Sequence, residues 1–171
     1  GAGRIVAIDG DGRRLAIAAD GGATETIAGR VDEALDADPA LAGSLDVVFD
    51  VTGRPAALAD ATRLLRPLGR LVLVGDSPTP SRQHLGPRVV ADGISIIGVH
   101  ANTAPPTADP NAPWSADAML ELFPEVAADG RLDPSVLVER RIRPADAPDH
   151  YRRALEAPPG ELGVLIDWET P

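Results

Sequence analysis

Short aliphatic runs alternate with helical patterns through the first hundred residues. Arg4-Ile-Val-Ala-Ile-Asp9 is a β-branched run that predicts a buried strand, and Arg13–Asp20 follows with Leu15, Ala16 and Ala19 at helical spacing before Gly21-Gly22. A short strand is expected near Thr24–Ile27 and a helix near Val31–Leu35. Asp46-Val-Val-Phe-Asp-Val-Thr52 is the second strong strand, ended by Gly53. Pro55 suits the first turn of a helix whose apolar face is Leu58, Ala61 and Leu65. Pro67-Leu-Gly69 breaks that helix before a third strand, Arg70-Leu-Val-Leu-Val-Gly75, and Ile94-Ser-Ile-Ile-Gly-Val99 makes a fourth. Continuous apolar strands separated by helices predict a parallel sheet buried on both faces.

The pattern changes near residue 102. Ala101–Pro113 holds Pro105, Pro106, Pro110 and Pro113 without periodicity, which reads as a loop between two parts of the chain. Beyond it a helix is expected over Ser115–Ala128, a strand near Val136–Ile142, a helix near Asp146–Glu156 and a last strand over Val164–Trp168. The expected division is therefore 1–102 and 103–171.

Composition narrows the chemistry. The 171 residues carry 16 basic side chains, all arginine, against 26 acidic ones, a formal net charge of −10, with no cysteine. Thiolate zinc sites, disulfides and a cysteine nucleophile are excluded within this chain. A negative, aromatic-poor protein is a poor partner for a phosphate backbone, so no nucleic-acid role is expected. No apolar run reaches the roughly 20 residues that cross a bilayer, so no membrane role is expected and a cytoplasmic location is. With Phe49, Trp114, Phe123, Tyr151 and Trp168 the whole aromatic set, the core has to be aliphatic.

In doubly wound sheets ligands sit beyond the carboxyl ends of the strands, where loops and helix N-termini converge. Four such ends here carry polar or glycine residues: Asp9, Thr52-Gly53, Val74-Gly75-Asp76 and Gly98-Val99-His100. An acid ending the second strand of a dinucleotide fold accepts hydrogen bonds from ribose hydroxyls and favours NAD over NADP. The alternative is that the glycines only make turns and Asp9 only caps the next helix. No G-x-G-x-x-G fingerprint is present, since Gly10-Asp-Gly12 lacks the third glycine. His84, His100 and His150 are scattered and predict no metal site, and Asp36, Asp38, Asp46 and Asp50 lack calcium-loop spacing. Arg140-Arg141-Ile-Arg143 reads as a solvated strand face or a contact between lobes.

The ordered set of segments resembles the zinc-type medium-chain alcohol dehydrogenase family. Gly1-Ala-Gly-Arg-Ile-Val-Ala-Ile-Asp9, Gly21-Gly-Ala-Thr-Glu25, Asp46-Val-Val-Phe-Asp-Val-Thr-Gly53 and Leu64-Leu-Arg-Pro-Leu-Gly-Arg-Leu-Val-Leu-Val-Gly75 carry the likeness. Ile96-Ile-Gly98, Gly130-Arg-Leu-Asp-Pro134 and Ala147-Pro-Asp-His-Tyr151 continue it in order. The resemblance implies an α/β, doubly wound, mostly parallel Rossmann-like sheet lacking its first strand, followed by a C-terminal helix and strand segment. In that family the first strand, the glycine fingerprint and the zinc-holding catalytic lobe lie upstream of Gly1. It implies no catalytic or metal residue in this chain, and zinc only in that upstream lobe.

The implied cofactor is NAD. Asp9 would bind ribose beside Arg14, with Thr52, Gly53 and Arg54 along the adenosine half. Val74, Gly75 and the backbone of Val99 and Ala101 would lie at the nicotinamide end. Near Gly163 the family commonly carries a basic residue, so that contact is in question here. The substrate class is a small alcohol or polyol, and Ile94–Val99 is an expected edge for pairing between copies in a homo-oligomer. The competing reading is a truncated, non-catalytic Rossmann-like nucleotide-binding or interaction module, with unpaired edges where the central strand would lie. A methyltransferase-like sheet, which also places an acid after its second strand, is the third.

Overall fold

The computed structural model describes residues 2–110, 112–156 and 161–169. The chain divides into two compact units, Gly1–Pro105 and Pro106–Pro171.

The first unit alternates strand and helix: β1 (Val6–Asp9), α1 (Gly12–Asp20), β2 (Glu25–Ala28), α2 (Val31–Ala37), β3 (Leu45–Asp50), α3 (Pro55–Leu64), β4 (Leu65–Leu73) and β5 (Ser95–Gly98). All pairings are parallel, with β1 beside β2 in one sheet and β3-β4-β5 in order in another. Among the described residues no strand lies between β1 and β3.

Two aliphatic clusters hold this unit together. Leu58 and Ala61 of α3 pack on Leu65, Leu71 and Ile94, and Leu65 and Leu71 have no exposed surface. Ala34 and Leu35 of α2 join Leu41 and Leu64 against Ile8, Ile27, Leu45 and Val48, tying both sheets to one core. Each fully buried leucine contributes about 1.5–3 kcal/mol by removal from water.

Two expectations change. Leu65 begins β4 rather than extending α3, and the helix ends at Leu64. The reason is Pro67, which has no N–H and pushes the residue before it out of helical geometry. The strands are also not covered on both faces: Phe49 and Val51 are 65% and 68% exposed. Val51 lines the space between β1 and β3.

The second unit contains α4 (Ala116–Ala128), β6 (Val138–Ile142), α5 (Ala147–Glu156) and β7 (Gly163–Ile166), with β6 and β7 parallel. Ser115 caps α4 by accepting the Ala118 N–H at 3.2 Å. Gly163 is fixed by packing, because a Cβ there would lie 2.5 Å from the Leu137 carbonyl oxygen. A longer side chain at this position has no room. No helix among the described residues is long and apolar enough to cross a membrane.

Candidate functional site

The carboxyl end of β1 is built from two successive aspartate turns. Asp9 Oδ1 accepts the Asp11 N–H at 2.8 Å, and Asp11 Oδ1 accepts the Arg13 N–H at 2.9 Å. Asp11, not Asp9, therefore caps α1. The Arg13 backbone N–H, and then its guanidinium, hold the Asp11 carboxyl below the usual carboxylate range. Asp9 Oδ2 lies 4.0 Å from the Arg14 guanidinium, and the Asp9 side chain is partly exposed. A carboxylate in this position still has acceptor capacity for a hydroxyl pair arriving from solvent.

The end of β3 is organised by Asp50. Its carbonyl accepts the N–H groups of Val74 and Gly75 at 2.9 and 3.0 Å, locking the loop after β4 onto the loop after β3. Its Oδ1 accepts the Thr52 N–H at 2.8 Å and hydroxyl at 2.7 Å, and Thr52 Oγ1 accepts the Arg54 N–H at 3.1 Å. Arg54 then leads into α3 with Pro55 in its first turn.

The two loops meet backbone to backbone at glycines. Gly53 has φ of 61°, and a Cβ on Gly75 would lie 2.5 Å from the Gly53 nitrogen and 2.6 Å from the Val51 carbonyl carbon. Only hydrogen fits at either position. The Val99 N–H donates to the Leu73 carbonyl at 2.9 Å, so the exit of β5 sits beside the end of β4. Ala101 opens the single turn Ala101–Thr103, and His100 shapes it: its Nδ1 accepts the Asn102 N–H at 3.1 Å.

Thr52, Gly53, Arg54, Val74, Gly75 and Val99 thus gather at the carboxyl end of the β3-β4-β5 sheet. Asp9 and Arg14 form a separate pair at the end of the β1-β2 sheet. Among the described residues no three histidine or acidic side chains converge as metal ligands. In the second unit Arg140 pairs with Glu161, which lies 3.7 Å from His150 Nε2, and Arg143 pairs with Asp146 at 3.0 Å.

Asp50 is the organising residue that the pattern of strand ends did not single out. It is 5% exposed, and its Oδ2 is buried without a hydrogen-bond partner among the described residues. The available signal was an acid closing the apolar run Asp46-Val-Val-Phe-Asp50, an expensive place for a charge unless it is used. Asp50 lines a slot of about 450 Å³ between β1 and β3, whose other walls include Ile8, Val48, Ala57, Ala61 and Leu64.

Residues 1–117 match the family model described as zinc-binding dehydrogenase. The chain is 34% identical over 101 residues to L-threonine 3-dehydrogenase of Bacillus velezensis, covering 58% of this chain and 29% of that protein. It is 36% identical over 110 residues to sorbitol dehydrogenase of Bacillus subtilis, covering 61% of this chain and 31% of that one. The chain thus spans about a third of the length of these relatives. Among solved structures, an alcohol dehydrogenase from a Thermus species aligns over 98% of this chain and 45% of its own, with 25% identity and a TM-score of 0.72. A second, a short-chain alcohol dehydrogenase of Escherichia coli in complex with NADH, has a TM-score of 0.75 over 97% of this chain and 45% of its own; at 18% identity it shows the shared Rossmann-like fold.

Proposed function

Because the chain belongs to the zinc-binding dehydrogenase family, we propose that it supplies the nucleotide-binding surface of an NAD-dependent alcohol or polyol dehydrogenase. The observation that carries this reading is Asp9: a carboxylate at a strand end, held by one backbone N–H through Oδ1, with its side chain partly exposed to solvent. That acceptor suits the adenosine ribose hydroxyls, which donate to it, and its negative charge opposes a 2′-phosphate. Arg14 at 4.0 Å is partly neutralised by Asp9 and is held back from a phosphate for as long as that pair persists.

Thr52, Gly53 and Arg54 then border the adenosine half. Val74 and Gly75, with the backbone of Val99 and Ala101, border the nicotinamide end. The close Gly53–Gly75 contact holds these two loops together backbone to backbone. The bound nicotinamide supplies hydride-transfer chemistry; the residues of this chain bind and orient it. Catalytic residues and zinc ligands belong, on this reading, to the remainder of a polypeptide of the relatives' length. Residues 1–102 form the cofactor part and 103–171 complete the catalytic lobe.

Two measurements test the proposal. NADH and NADPH are titrated against the chain by saturation-transfer NMR, which reads millimolar affinities. NADH is expected to bind weakly and NADPH more weakly still, with Asp9→Ala losing about 10- to 100-fold in NADH affinity, as for one hydrogen-bonded charged group. NADPH binding as tightly as NADH counts against the assignment of Asp9. A polypeptide of the relatives' full length carrying this chain should reduce NAD with at least one member of an alcohol and polyol panel. No cofactor reduction across that panel defeats the wider reading.

A further inference from the structure

We propose that Asp9-Gly10 is a site of spontaneous covalent modification, where the Gly10 nitrogen closes on the Asp9 carboxyl and the ring reopens as isoaspartate. The chain has five Asp-Gly bonds, beginning at Asp9, Asp11, Asp20, Asp92 and Asp129, and no Asn-Gly. Glycine leaves its backbone nitrogen most open to attack on a neighbouring carboxyl, since it has no Cβ to shield it. By residue type the five bonds are equivalent, and the fold separates them.

Four of the bonds are held. The Gly21, Gly93 and Gly130 N–H groups donate to the carbonyls of Ile17, Val90 and Ala127 at 2.8, 3.3 and 3.1 Å. Asp92 and Asp129 are also ion-paired, with Arg88 and with Arg131. At Asp11 one carboxylate oxygen accepts the Arg13 N–H and the other its guanidinium, and Gly12 is fixed in the first turn of α1. Those bonds hold the Asp11 carboxyl below the usual carboxylate range, whereas ring closure expels water from the neutral acid.

Asp9-Gly10 differs on each count. Gly10 is exposed and lies outside helix and strand, and its N–H has no hydrogen-bond partner among the described residues. Asp9 Oδ1 accepts the Asp11 N–H at 2.8 Å, which closes a ring containing both the Asp9 carboxyl carbon and the Gly10 nitrogen. The other oxygen meets Arg14 only at 4.0 Å, beyond hydrogen-bond distance.

The chemistry needs only water. The Gly10 nitrogen bonds to Cγ of the protonated Asp9 carboxyl, and the carboxyl hydroxyl leaves as water with the N–H proton, giving a cyclic imide. Water then adds at the Asp9 main-chain carbonyl carbon and breaks its bond to the Gly10 nitrogen. The chain now runs through Cβ and Cγ, and the former main-chain carbonyl is a free carboxylate. That carbonyl accepts the Gly29 N–H at 3.0 Å, tying the end of β1 to the residue after β2. The modification therefore unseats the strand end that carries Asp9.

To test this, the chain is incubated for weeks near neutral pH, folded or in guanidinium chloride, and isoaspartate is located by electron-transfer fragmentation of its peptides. No nucleotide is involved, so the result is independent of the cofactor reading. In the folded chain isoaspartate should form at Asp9 about fivefold faster than at each of the other four, the factor set by breaking one hydrogen bond. In guanidinium chloride the five rates should converge. Gly10→Ala shields the nitrogen, and its Cβ meets nothing within 4 Å, so it should slow the reaction at Asp9 severalfold with the fold kept. Gly12→Ala, equally unhindered, should leave the Asp9 rate unchanged. Equal rates at the five sites of the folded chain, a faster rate at any other, or no isoaspartate at Asp9 overturns the proposal. An Asp9 rate unaffected by Gly10→Ala overturns it too, and the comparison of folded with unfolded parent stands even where that variant fails to fold.

Discussion

Replacing Gly75 by alanine tests whether the loops after β3 and β4 are held in direct backbone contact. The added Cβ would lie 2.5 Å from the Gly53 nitrogen, where ordinary contact begins at 3.4 Å, so the two loops must separate by 3.4 − 2.5 = 0.9 Å or the strands must shift. The colliding atoms are backbone, which cannot rotate away. Overpacking of this kind costs about 1–3 kcal/mol. The bonds that yield first are those from Val74 and Gly75 to the Asp50 carbonyl, which join the same two loops. Native-state hydrogen exchange at residues 74 and 75 should therefore accelerate by roughly 5- to 100-fold. Gly98→Ala is the matched control, because a Cβ there meets nothing within 4 Å. That control should be neutral or slightly stabilising through the unfolded chain. Exchange in Gly75→Ala within twofold of the parent, or equal acceleration in Gly98→Ala, would refute the packing argument.

Further outcomes follow from the core and the first helix. Leu71→Ala removes a side chain with no exposed surface from the α3–β4 cluster and should cost about 2–5 kcal/mol in urea unfolding. Asp11→Ala removes the α1 cap and should speed exchange in α1 about fivefold, with Leu15 and its neighbours the reporters. The Asp11 carboxyl is held below its ordinary value when folded, so its contribution is complete above the unfolded pKa and is lost as pH falls through the folded one. The exchange difference between Asp11→Ala and the parent should accordingly shrink below about pH 4. Gly163→Arg, which places a basic residue at the start of β7, should disrupt the β6–β7 pair rather than gain a phosphate contact, as read by exchange across Val138–Ile142.

Much of the fold was legible because the strands are continuous aliphatic runs and the breakers between them are unambiguous. Gly21-Gly22 after α1 and Pro55 at the start of α3 mark boundaries through backbone chemistry alone, which is local. The Leu64–Leu65 boundary was misplaced because helical periodicity continues through it. The constraint that ends the helix acts from Pro67, two residues further on. Thr52, Gly53, Val74 and Gly75 were nameable as strand-end residues. That Gly53 and Gly75 abut is a fact about residues twenty-two positions apart, settled by the pairing of β3 with β4.

The sequence by itself determined which segments are strands and helices, that the core is aliphatic, and which carboxyl ends hold polar groups. These follow from side-chain period and backbone restriction, which act over a few residues. Tertiary structure alone decided that Asp11 rather than Asp9 caps α1, and that Arg14 lies beside the second oxygen of Asp9. It also decided that Asp50 buries an oxygen that has no hydrogen-bond partner among the described residues. Both depend on which groups a hydrogen bond can reach in three dimensions, and no spacing along the chain records that distance.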